Sequence, residues 1–174
     1  MTTADRTALL DYLERVHERT RRVVHLIPPH DFEWSPAPGW FTFGGLVRHL
    51  AGIERWMFAE NALGRPSRYA GHGVELAAGM PAVLTYYETL HTDSAAIFSS
   101  LDDAALGRKV ATPAGVQITV WKWLRAMTEH EAHHRGQLYL MLAMRGVSTP
   151  PLYGLTSEEV QARSSVRAST PTHQ

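Results

Sequence analysis

Apolar positions recur at three- and four-residue steps in four long stretches, the period of a helix with one buried face. Over residues 3–27 the apolar set is Leu9, Leu10, Leu13, Val16, Val23, Val24 and Ile27, and Pro28 and Pro29 end it. A proline-rich, aromatic connection covers 28–41. Thr42 is placed to cap a second helix reaching about Leu63, with Leu46, Leu50, Ile53 and Met57 on one stripe. Gly64 and Pro66 break it, and 64–79 reads as a loop. The third helix spans about 80–101, with Pro81 in its first turn and Val83, Leu84, Tyr87, Leu90, Ile97, Phe98 and Leu101 facing inward. Residues 109–120 alternate around Pro113-Ala114-Gly115, which predicts a small hairpin or extended connection. The fourth helix runs from about Thr119 to Arg145 and is closed by Gly146. A short fifth helix begins near Thr156, where Thr156-Ser157-Glu158-Glu159 reads as a capping box.

Four amphipathic helices of this length predict an all-α fold, a four-helix bundle with a short hairpin or turn before helix four. The long links after the first three helices leave room for crossover connections. One domain is expected over 1–162, followed by a polar tail over 163–174.

Composition narrows the function. With 174 residues, 44% of them apolar, the chain can bury a core without staples. Seventeen basic residues balance seventeen acidic ones, which removes the electrostatic case for nucleic acid or an anionic membrane. The absence of cysteine excludes disulfides, thiolate ligands and a cysteine nucleophile, and suits the cytoplasm. No signal peptide is expected at the N-terminus, and no apolar run approaches the roughly 20 residues of a membrane span.

Ten histidines stand out. His130 and His134, one turn apart, share a helix face and can address one ion. An i,i+4 pair alone is weak evidence; its place on the apolar stripe beside Met127 and Leu138 strengthens it, because buried imidazoles need partners. His133 lies roughly 100° from that stripe and is the odd one out. His49, at the edge of the second helix's stripe, supplies a third imidazole. Alone, His49 would read as an interfacial histidine bonded to a carbonyl. With the other two it predicts a site for one divalent transition metal.

The run Gly45-Leu46-Val47-Arg48-His49-Leu50-Ala51-Gly52-Ile53-Glu54-Arg55-Trp56, and the later His130-x-x-His133-His134-Arg135-Gly136-Gln137-Leu138, resemble the DinB/YfiT-like superfamily. Element order and the closing Pro151–Thr156 segment agree, so the similarity covers about residues 5–162. The resemblance implies a four-helix bundle with crossovers and a nickel or zinc ion on His49, His130 and His134. It also implies a homodimer and a small-molecule substrate. Members include thiol-dependent S-transferases, a mycothiol-dependent isomerase and proteins assigned as metal-dependent hydrolases.

Three imidazoles leave at least one coordination position open. The expected function is metal-dependent transfer of a low-molecular-weight thiol to an electrophile, or hydrolysis of a small substrate, with catalytic side chains unassigned. The alternative is a non-catalytic metal-binding or dimeric scaffold protein. Glu129 and Glu131 are expected to be solvated, Arg135 to pair with Glu131, and Gln137 to support the ligands. Trp40, Trp56 and Trp123 read as core. His17, His25, His30, His72, His91 and His173 read as structural or exposed. A second stripe on helix four (Trp121, Thr128, Ala132, Gly136, Tyr139, Ala143) packs on helix one or three, or meets a second copy through its aromatics.

Overall fold

The computed structural model describes residues 3–168; His173 and the tail over 169–174 lie outside the described residues. Helix α1 spans Thr3–Val24, and one further turn of hydrogen bonds carries the chain to Pro28. Helix α2 begins at Phe43, capped by Thr42, whose hydroxyl accepts from the Gly45 amide at 2.8 Å.

α2 (Phe43–Ile53) does not continue as a regular helix. A π-helical segment, Glu54–Ala59, intervenes before a closing α-helical turn, α3 (Glu60–Ala62). The wider turn shifts the helical phase by about one residue. Met57, expected on the stripe, is half-buried, whereas Phe58, Ala59 and Ala62 fill the core. Glu54, one turn on from Leu50, enters the interior on the regular phase before the shift.

Helix α4 (Met80–Ser100) is followed by α5 (Asp103–Gly107), a short helix the periodicity does not reveal; Asp102 caps it by accepting from the Ala105 amide at 2.7 Å. Strands β1 (Lys109–Ala111) and β2 (Gln117–Thr119) form the predicted hairpin, antiparallel with Val110 opposite Ile118. Helix α6 (Val120–Met144) ends in a Schellman turn at Gly146 (φ 70°), where the Val147 amide reaches the Leu142 carbonyl at 2.9 Å. The capping box of α7 (Ser157–Ala168) is formed, Thr156 and Glu159 exchanging bonds of 2.7 and 3.2 Å.

The bundle's main pairings are α1 with α6 and α2 with α4, so α1 packs chiefly on the last long helix and not on its neighbour in sequence. The long connections over 28–41 and 64–79 make these crossovers. Arg48 fixes both. Buried on α2, its guanidinium bonds Glu33 at 2.8 and 3.0 Å and the carbonyls of His72 and Ala77 at 2.9 and 3.0 Å. Gly44 lets the first connection lie flat on the helix, since a Cβ there would come within 2.9 Å of Phe32.

Apolar packing forms two clusters, one around Leu46, Leu50, Tyr87 and Leu138, the other around Ile53, Phe58, Leu124 and Met127. Buried polar side chains, among them His17, Glu54, Glu131 and His134, also occupy the interior. Among the described residues no helix is long and apolar enough to cross a membrane.

Candidate metal centre

α2 and α6 face each other, and His49, His130 and His134 meet between them. Nε2 of His130 lies 3.1 Å from Nε2 of His49 and 3.1 Å from Nε2 of His134. One nitrogen from each ring lies within 4.8 Å of the other two. Nitrogens bound tetrahedrally at zinc–nitrogen distances stand about 3.3 Å apart, so the spacing fits an ion held by all three rings.

The outer nitrogens of His134 and His49 are also engaged. Nδ1 of His134 lies 2.7 Å from Oε1 of Gln137, an acceptor, so that nitrogen carries the proton and Nε2 presents its lone pair inward. Nδ1 of His49 lies 2.7 Å from the Tyr69 hydroxyl, which has His72 on its other side at 3.4 Å. Phe41 packs against His49, His72 and His134, with ring centroids 4.6 to 5.8 Å apart. His133 is exposed and turned outward, its ring 3.3 Å from the Gln137 amide.

Electrostatics favours neutral, ligating imidazoles. Burial, then the neighbouring His134, His130 and His72, lowers the pKa of His49 to about 3. Burial, then His134 and His133, lowers His130 to about 4. His134 is lowered by burial against the opposing bond to Gln137. Three lone pairs are therefore available near neutral pH without displacing protons. Burial raises the Tyr69 hydroxyl to about 12, keeping it protonated.

Beside the imidazoles, an apolar cavity of about 310 Å³ is lined by Trp40, Phe41, Gln137, Leu140, Met141 and Met144, among others. Trp40, read from sequence as core, stands 64% exposed on its rim. Trp56 and Trp123 are half-buried, Trp56 between the guanidinium groups of Arg55 and Arg68.

Three further expectations for α6 are corrected. Glu131 is not solvated: it is buried, and burial followed by Glu54 raises its carboxyl to about 7. Arg135 reaches across to α1, bonding the Val16 carbonyl at 3.3 Å and the Thr20 hydroxyl at 3.2 Å. The second stripe is not packed on α1 or α4 throughout, since Ala132, Gly136 and Ala143 are exposed while Thr128 is buried.

Tyr69, Phe41 and Arg48 escaped the sequence reading. The first two lie in connections without periodicity, and the partners of Arg48 lie in those same connections.

Residues 12–138 match the family model of the DinB superfamily. The chain belongs to that family. Solved structures share the DinB-like bundle. A DinB-like protein from Bacillus subtilis superposes with TM-score 0.68 at 18% identity, covering 84% of this chain and 97% of the other. YfiT from Bacillus subtilis, described as a probable metal-dependent hydrolase with an unusual four-helix bundle topology, gives 0.67 at 19%, covering 85% and 91%. A mycothiol-dependent maleylpyruvate isomerase gives 0.64 at 19%, covering 79% of this chain and 63% of its own. At these identities the likeness establishes the fold alone. No curated protein matches the sequence.

Proposed function

We propose that this DinB-superfamily chain is a metal-dependent enzyme that joins a low-molecular-weight thiol to an apolar electrophile. The observation that carries the proposal is the convergence of three neutral imidazoles, with outer nitrogens of His49 and His134 fixed by Tyr69 and Gln137. A divalent ion such as zinc or nickel on His49, His130 and His134 would lower the pKa of a thiol or water brought to its open position.

The chain's own residues do the rest. Gln137 and Tyr69 hold the imidazole rings in register, so a ligand does not have to reorganise them. Phe41 covers the rings and limits water. The cavity bounded by Trp40, Leu140, Met141 and Met144 accepts the apolar body of an electrophile next to His134. The fold shared with a mycothiol-dependent isomerase supports thiol chemistry. Hydrolysis is the second reading, supported by the description of YfiT; water then takes the thiol's place.

Protein reloaded with zinc or nickel should consume thiol in the presence of monochlorobimane, and His134→Ala protein should not. Hydrolysis of activated esters without any thiol turnover would favour the second reading. No turnover with either metal in either assay would leave the non-catalytic metal-binding role.

A further inference from the structure

Beside Met127 and Glu131 lies a second convergence of ligating groups, apart from the three-histidine centre. His17 on α1, Glu54 at the start of the π-helical segment and His91 on α4 each place one nitrogen or oxygen within 4.8 Å of the other two. Glu54 bridges the rings: one carboxylate oxygen is 3.0 Å from Nδ1 of His91, the other 3.9 Å from Nδ1 of His17. The rings are stacked, with centroids 3.3 Å apart and planes 3° from parallel.

His91 is paired with Glu54 and Glu14, but His17 and Glu131 each keep a buried polar atom without a partner among the described residues. His17 is 97% buried, and the atom is its Nε2; in buried Glu131 it is Oε1. The Tyr87 hydroxyl serves only Nδ1 of His17, at 3.3 Å. Both orphaned side chains line a cavity of about 210 Å³, together with Asp11, Glu14, Glu54 and His91. Four carboxylates around two imidazoles make that cavity acidic. Glu14, mostly exposed and 3.2 Å from Nε2 of His91, stands where the cavity meets solvent.

We propose that His17, Glu54 and His91 form a second divalent-cation site, with Glu131 and Glu14 at hand to complete the ligand set. Two imidazoles and a carboxylate suit zinc, nickel or manganese. A cation would supply the missing partner of His17 and offset the cavity's negative charge. Glu54 reaches the site from the buried face of α2, one turn on from Leu50, with its amide still bonded to the Leu50 carbonyl.

This site stands independently of the His49–His130–His134 reading, and a zinc count separates the two. Metal-stripped full-length protein, equilibrated with zinc and freed of excess, should hold two ions per chain. His134→Ala should hold one, Glu54→Gln one, and the combined variant none. Cobalt(II) in the His134→Ala chain should show a visible ligand-field band that Glu54→Gln removes. If Glu54→Gln does not fold, His91→Gln, at the more open edge of the cluster, takes its place with the same expectation. A wild-type chain holding one ion that His134→Ala abolishes would overturn the proposal, as would Glu54→Gln and His91→Gln chains that still hold two. One ion lost with Glu54→Gln and kept in His134→Ala would uphold this site and reject the three-histidine one.

Discussion

Oε1 of Gln137 stands 2.7 Å from Nδ1 of His134, one turn along the same helix. Because an amide oxygen only accepts, this contact sets the tautomer of the imidazole and aims the lone pair of Nε2 at His130 and His49. Removing such a support typically weakens metal binding about 10- to 100-fold. Gln137→Ala should therefore lower zinc affinity by that factor in a chelator competition, and Gln137→Glu should preserve it. Unchanged affinity in Gln137→Ala would show that the ring is held by packing alone.

Metal should also stabilise the fold, because only the folded chain brings α2 and α6 together. With free zinc about a thousandfold above Kd, the gain is about 4 kcal/mol. Thermal unfolding should shift upward for wild type and for His133→Ala. Equal melting curves with and without zinc would contradict the site.

Acid and base should both destabilise the apo protein, through different histidines. His17 and His49 titrate at about 3 in the folded chain and His130 at about 4, against an ordinary 6.5 when unfolded. Below 6.5 the unfolded chain takes up protons that the folded one refuses, so stability present above 6.5 is lost on acidification. His91 runs the other way. Burial would lower it, but its bonds and proximity to Glu54 and Glu14 outweigh that and raise it to about 9. Its contribution is complete below 6.5 and lost as pH rises through 9. Urea unfolding of apo protein should show maximal stability near pH 6.5, and a profile flat from about pH 5 to about pH 9 would refute this.

The parts of the fold that were legible in the sequence are those with local causes. Helical periodicity located the four long helices, Thr42 and Gly146 marked their ends, and Thr156-Ser157-Glu158-Glu159 marked α7. The convergence of His130 and His134 follows from one-turn spacing, and that of His49 from its stripe. What was hidden depends on long-range geometry. The π-helical turn has no local signature in Glu54–Ala59, so the phase of Phe58 could not be seen. His17 and His91 are 74 residues apart and looked scattered until α1 and α4 placed them ring against ring. Glu131 stands one turn from Met127 and two from Leu138 on the buried stripe of α6, so its phase pointed inward and only the usual preference of a carboxylate for water argued against burial.

Arg48 ties both crossover connections to α2, so its loss should be felt beyond one ion pair. Arg48→Ala removes four hydrogen bonds from a buried position, and a cost on the order of 3 kcal/mol is expected. Chemical denaturation checks the value. Arg48→Lys, which cannot bridge Glu33 and two carbonyls at once, should recover only part of the loss.

Ala132, Gly136 and Ala143 leave a stripe of α6 on which a second helix could approach closely. We propose a homodimer through this face, with Trp121 and Tyr139 at its ends. Light scattering should give about twice the 19.4 kDa of one chain, and Gly136→Glu should return it to a single-chain mass. A mass near 19.4 kDa for the unmodified protein would reject the dimer.

The central claim is that one ion is shared by His49, His130 and His134 while adjacent His133 takes no part. The direct measurement is zinc retention against a chelator for the four single alanine variants, each confirmed as folded. His49→Ala, His130→Ala and His134→Ala should each lose one tightly held ion per chain, and His133→Ala should retain the wild-type number. Loss in His133→Ala, or retention in the other three, would contradict the account.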